Sequence, residues 1–252
     1  TINCSNDQYS KIIGDSSYFI MSKQSEIFIY EQIENNSFSL ISSFETGGGG
    51  IIDMKIKADN LFLSGYHIGL RIVDISQLAN PIVVSIYYLE KTGQLALSDS
   101  AAFIHDPNTQ GLKIFDVSDP DIPIIKSEYI VGNQYTGENY YYRNRLFICN
   151  YYVSRVYQLK IFESFQPSYF QDIIAENHSY QFSQVRVHNN TAILSTNYGL
   201  SFVNGDNYDD LEIYSEINDI GSISNIQLYS NHLFVSADDK LLIYDIDNPW
   251  DV

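Results

Sequence analysis

The sequence predicts an all-β fold, a six-bladed β-propeller of four-stranded antiparallel blades, and three observations carry that expectation. A thirteen-residue stretch, GLRIVDISQLANP at Gly69–Pro81, returns as GLKIFDVSDPDIP at Gly111–Pro123. Apolar stretches that align with these two begin at Glu26, Gly69, Gly111, Arg155, Gly199 and Lys240, so six units recur at 41 to 44 residues. No segment has helical periodicity. Four strands repeated at that period are the mark of a propeller blade.

Each unit supplies its strands in the same order. Upstream of the aligned stretch lies a second apolar run: SYFIMS, NLFLSG, AAFIHD, RLFICN, TAILST and HLFVSA. Short continuous apolar runs suit strands covered on both faces. A polar turn precedes each run (GDS, ADN, SDS, YRN, HNN, YSN), rich in the Asn, Asp and Ser that hairpins favour. A more polar strand follows the third, as in PIVVSIYYL and PIIKSEYIV. Each blade thus reads inner, buried, buried, outer. A lone blade cannot bury both faces, and a ring of blades buries them all.

The expected organisation is one domain over 1–252, with blades near 6–46, 47–91, 92–132, 133–174, 175–217 and 218–252 plus 1–5. The last unit ends at DIDNPWDV, where its outer strand should begin, while TINCS stands spare before the first inner strand. Thr1–Ser5 is therefore expected to close the ring as the outer strand of the last blade.

The GLRIVDIS and GLKIFDVS stretches, with the turns that follow them, closely resemble the LVIVD repeat. The match is partial at Lys240–Pro249. In the other three units Glu31, Lys160 and Asn204 stand at the Asp position. The resemblance implies a bacterial or archaeal β-propeller, usually exported or on the cell surface, and it implies no activity.

Composition narrows the partners. The chain has 252 residues and a net charge of −17, with 21 Tyr and one Trp. Such a field repels nucleic acid and anionic lipid, and no apolar run reaches bilayer length. The expectation is a monomeric domain that neither binds nucleic acid nor inserts into a membrane. No signal peptide is visible, and the first residue is Thr1, which fits a processed secreted chain or a trimmed one. An extracellular or cell-surface location is expected. Cys4 and Cys149 are placed in different blades and are expected to be unpaired.

The repeated Asp74, Asp116 and Asp245 read as turn caps, since an Asp at a strand end accepts backbone N–H groups. NGDNYDDLE (Asn204–Glu212) lacks the twelfth-position Glu of a calcium loop and reads as a solvated acidic loop. TGGGG (Thr46–Gly50) leads into a strand rather than a helix, so it reads as a flexible connection and not a phosphate cradle. The loops after the second strand and between blades are rich in Tyr, Asn and His, whereas the loops after the third strand are acidic. The first set nominates Tyr66, His67, His105, Tyr151, Tyr152 and Tyr198 as a ligand-binding rim for a glycan or a protein. No catalytic residue, metal site or cofactor is nominated. His67, His105 and His178 share the rim but lack ligand spacing. Two other functions stand beside the binding module: a hydrolase or lyase at the channel mouth, and a structural module of a larger surface assembly.

Overall fold

The computed structural model describes residues 11–15, 17–34, 37–109, 111–130, 134–142, 145–151, 157–163, 170–174, 183–196, 199–204 and 213–247. They form two compact units, Thr1–Ile130 and Val131–Val252, each holding three sheets. The first unit contains β1 (Lys11–Gly14), β2 (Tyr18–Lys23), β3 (Glu26–Glu34) and β4 (Ser37–Glu45); β5 (Ile51–Lys57), β6 (Asn60–Gly65), β7 (Gly69–Asp74) and β8 (Ile82–Tyr87); and β9 (Leu95–Leu97), β10 (Ala101–Asp106), β11 (Gly111–Asp116) and β12 (Ile124–Ile130). The second contains β13 (Gln134–Tyr142), β14 (Arg145–Tyr151), β15 (Tyr157–Glu163) and β16 (Phe170–Ile174); β17 (Gln184–His188), β18 (Thr191–Ser195), β19 (Gly199–Asn204) and β20 (Ile213–Asn218); and β21 (Ile223–Tyr229), β22 (His232–Ala237) and β23 (Lys240–Asp245).

Every sheet is an antiparallel meander whose strands lie in chain order. The chain is an all-β propeller of four-stranded antiparallel blades. Five sheets have four strands, and the sixth has three among the described residues. The expectation of six complete blades is corrected to that extent. The segment assigned to the missing strand, 1–5, lies outside the described residues, as do Cys4 and the side chain of Cys149.

Burial follows the strand order. The second and third strands of the middle blades are sealed along nearly their whole length, and the fourth strands are half exposed. Alternate residues of a strand face opposite neighbours. In the second blade Leu61, Leu63 and Val73 join a core with Ile20, Ile27 and Ile29 of the first. Phe62, Leu70 and Ile72 join another with Leu95, Ile104 and Phe115 of the third. In the second unit Phe202 and Leu200 meet Ile226, Leu233 and Val235 in the same manner.

The repeated words serve this packing. Asp74 accepts the Ser76 N–H at 2.8 Å, Asp116 that of Ser118 at 3.0 Å, and Asp245 that of Asp247 at 3.0 Å. The Ser118 hydroxyl and N–H, with Lys126 at 3.1 Å, hold the Asp116 carboxyl down at about 2. The residue after each Asp turns inward: Ile75, Val117 and Ile246 are buried. Each donates its N–H to the hairpin between the blade's first two strands, at Asp59, Ser100 and Asn231. The repeat glycine is a close-approach residue. A Cβ on Gly69 would overlap the Tyr87 carbonyl oxygen, and one on Gly199 that of Ile217.

Directional bonds fix one blade on the next. Register places Lys11, Asp53, Gln184 and Asn225 opposite Ser22, Ser64, Ser195 and Ser236, so they hold one aligned place on the inner strands. Asp53, buried on β5, accepts the Leu95 N–H of β9 at 3.1 Å. Lys11 of β1 stands 3.5 Å away on its other side and Lys55 stands 3.6 Å away. In the second unit Gln184 of β17 accepts the Ile226 N–H of β21 at 2.8 Å. The same side-chain position thus clamps the same backbone N–H in both units.

Candidate functional site

The Tyr-rich rim of the first unit is built on hairpin ends. After β6 the chain turns through Tyr66–Ile68 before β7 begins, with His67 left-handed at φ 55°. Its backbone is tied on two sides. Tyr66 donates to the Gly50 carbonyl at 3.0 Å and accepts from the Gly49 N–H at 2.7 Å, while His67 donates to Glu90 at 2.8 Å. The buried Thr92 hydroxyl meets the Gly65 N–H at 2.6 Å and the Gly65 carbonyl at 2.9 Å. Tyr66 itself remains 48 % exposed. The result is an exposed aromatic on an immobilised backbone.

The glycine connection is therefore packed, not flexible as expected. A Cβ on Gly49 would meet the Tyr66 carbonyl oxygen at 2.6 Å, and one on Gly48 would meet Ile68 at 2.7 Å. Gly48 and Gly49 must be glycine because the hairpin of the second blade lies directly on them. The run also positions Tyr66.

His105 occupies a different environment from the one expected of a rim residue. It stands on β10, buried along its length, and is only 3 % exposed. Its place aligns with Ser64, and Gly93 packs against the ring, where a Cβ would lie 2.9 Å from Nδ1. Burial pulls its pKa from 6.5 to about 4, against a small opposing pull from Asp106, so the ring is neutral near pH 7. Asp106 is engaged: it accepts the Asn108 N–H at 2.9 Å and faces Lys113 at 3.4 Å. Lys113 reaches Glu128 at 3.0 Å. Burial draws Lys113 down, but Glu128 and Asp106 together raise it above its ordinary value. Among the described residues no three His, Cys, Asp or Glu side chains group as metal ligands. Tyr151 ends β14, its side chain lying outside the described residues. Tyr152, Tyr198 and His178 lie outside them altogether, as does most of the acidic 204–212 loop.

Sequence reasoning missed two features of this region. One is the clamp residue of the inner strands β5 and β17, a polar residue interrupting an apolar strand (Asp53 in IIDMKIK, Gln184 in SQVRV). The other is Arg71, in the GLR of the repeat itself, whose guanidinium lies beneath the glycine connection. Its Nη1 is 3.7 Å from where a Gly47 Cβ would stand.

Sheet topology and aligned burial define a β-propeller. The family model of the LVIVD repeat matches at residues 58–88, 91–131 and 220–250, so the chain carries that repeat at three places. Solved structures share the fold. A functionally unknown protein from Desulfotomaculum acetoxidans is 14 % identical, with 96 % of this chain and 83 % of that one covered, at a TM-score of 0.73. A protein from Lactobacillus plantarum is 11 % identical over 96 % and 82 % of the two chains, at 0.75. Hsv2p of Kluyveromyces lactis is 17 % identical over 96 % and 76 %, at 0.65. At these identities the likeness is one of fold. No curated protein matches the chain.

The buried His105 generates a pH dependence. Its folded pKa lies below the unfolded value, so its stabilising contribution is complete above pH 6.5 and is lost as pH falls from 6.5 to about 4. The full loss is on the order of 3 kcal/mol. In urea unfolding from pH 7.5 to 4, the wild type should lose stability in this window, and His105→Gln should show a much flatter profile. Parallel profiles for the two proteins would show that His105 titrates in the folded state as it does when unfolded.

Proposed function

We propose that the chain is a secreted or cell-surface binding module that contacts a glycan or a protein through the rim at Tyr66 and His67. The observation that carries the reading is the exposed Tyr66 on a backbone held by Gly49, Gly50 and Thr92. An aromatic on a backbone that is already fixed loses no backbone freedom on binding, and its face can stack on a sugar ring or fill a protein pocket. The opposite loops suit this role poorly, because their aspartates cap their own turns.

A glycan array and a surface-protein display library, each probed with the wild type, identify the ligand. Tyr66→Ala should then weaken binding by about 2 kcal/mol with little change in Tm, since anchoring aromatics carry such energies. Asp119→Ala on the opposite loops should leave affinity unchanged. Loss of binding in Asp119→Ala, with Tyr66→Ala unaffected, would place the ligand on the other face.

We further propose that the fold is one domain of six blades, with Thr1–Ser5 as the outer strand of the last. The last sheet ends at β23, with no fourth strand beside it among the described residues, and an added strand would cover that edge. Deleting residues 1–5 should lower Tm by several degrees and promote aggregation, measured by thermal unfolding and light scattering. An unchanged Tm would mean that those residues complete no blade.

A further inference from the structure

Arg71 is a buried cation whose two aligned acids are missing. It is the third residue of β7, pairs in register with Leu63 and Ile86, and is only 9 % exposed. Its Nε is sealed from solvent and has no hydrogen-bond partner among the described residues. Among the described residues no carboxylate lies within ion-pair distance of its guanidinium. Burial lowers its pKa, and nothing offsets that effect.

The third blade carries a neutralised cation at the aligned place. Lys113 holds the aligned place on β11, and its ammonium is neutralised by Asp106 at 3.4 Å and Glu128 at 3.0 Å. Register gives the aligned residues of the second blade. Asp106 pairs with Gly111 as Gly65 pairs with Gly69, and Glu128 pairs with Lys113 as Ile86 pairs with Arg71. Both acids are therefore absent around Arg71, replaced by Gly65 and Ile86. Burying an unpaired charge is costly, and such charges are normally paired.

We propose that Arg71 is the anchor of an anion-binding subsite under the glycine connection, and that its ligand presents a carboxylate. The guanidinium's planar fork matches a carboxylate through two parallel hydrogen bonds. Gly47, left-handed at φ 66°, stands beside the guanidinium: a Cβ there would lie 3.7 Å from Nη1, in ordinary contact. The Gly47 and Gly48 N–H groups make no bond among the described residues, so the same connection offers further donors. Local and global electrostatics together choose the anion. The chain's net charge of −17 repels a phosphate dianion more than a singly charged carboxylate, whereas the Arg71 pair acts at short range. The Tyr66–Ile68 hairpin lies on the same connection, so a ligand held at the rim could place its acid group on Arg71.

Small anions test the subsite without any knowledge of the larger ligand. Sodium acetate, sodium glucuronate and inorganic phosphate are titrated at fixed ionic strength, while NMR follows the Gly47 amide and the Arg71 Nε–H. Acetate and glucuronate should move both signals. Arg71→Met should weaken that binding by about ten- to hundredfold, the worth of hydrogen bonds to a charged group. Ile86→Glu should do the same at an exposed position, by supplying the acid that Lys113 already has, and should raise Tm without ligand. Tyr66→Ala should leave acetate binding intact, which separates this subsite from the rim reading. The proposal is overturned if neither carboxylate shifts these signals, if both variants bind as the wild type does, or if phosphate binds and the carboxylates do not.

Discussion

On two inner strands, β5 and β17, a single side chain sets how the blade stands against the next within its unit. Apolar cores join neighbouring blades, but hydrophobic attraction has no direction and would tolerate sliding. Asp53 removes that freedom: buried, it accepts the Leu95 N–H of the next inner strand and faces Lys11 of the previous one. Gln184 repeats the bond to Ile226 without any charge. A buried acceptor that loses its donor costs more than the bond contributes when made, so the register with the bond intact is strongly preferred.

That register reaches the rim through the connections. Thr92 lies three residues before Leu95, and its hydroxyl enters the end of the second blade at Gly65. The Thr46 hydroxyl does the same to the carbonyl of Ser25 in the first blade. Between them the glycine run lies against Tyr66–Ile68, with Arg71 beneath it. The exposed tyrosine and the unneutralised arginine are therefore both positioned by contacts that begin at the inner strands.

The repeat made most of the fold legible. The period located the strands, and their polar or apolar character ordered them from inner to outer. The cap role of Asp74, Asp116 and Asp245 followed from one residue type at a strand end. The inner strands were harder to align, because they run from three residues in β9 to nine in β13 and their apolar pattern is broken. The clamp position emerges only from register against the second strand. His105 was misjudged because a histidine near a loop reads as a rim residue, whereas its alignment with Ser64 puts it in the packed interior. Arg71 looked like an ordinary member of the repeat. Its missing acids are a property of two other strands, and no spacing within GLRIVD records them.

Amide hydrogen exchange on wild type, Asp53→Ala and Asp53→Asn measures the clamp most directly. If the inner-strand bond sets the blade register, Asp53→Ala should lose protection at the Leu95 amide and at its strand neighbours, and should unfold at lower denaturant. Asp53→Asn, which keeps an acceptor oxygen, should retain most of that protection, and the Ile226 amide at the Gln184 clamp should stay protected in both variants. Unchanged protection at Leu95 in Asp53→Ala would contradict the account, because the blades would then hold their register by apolar packing alone.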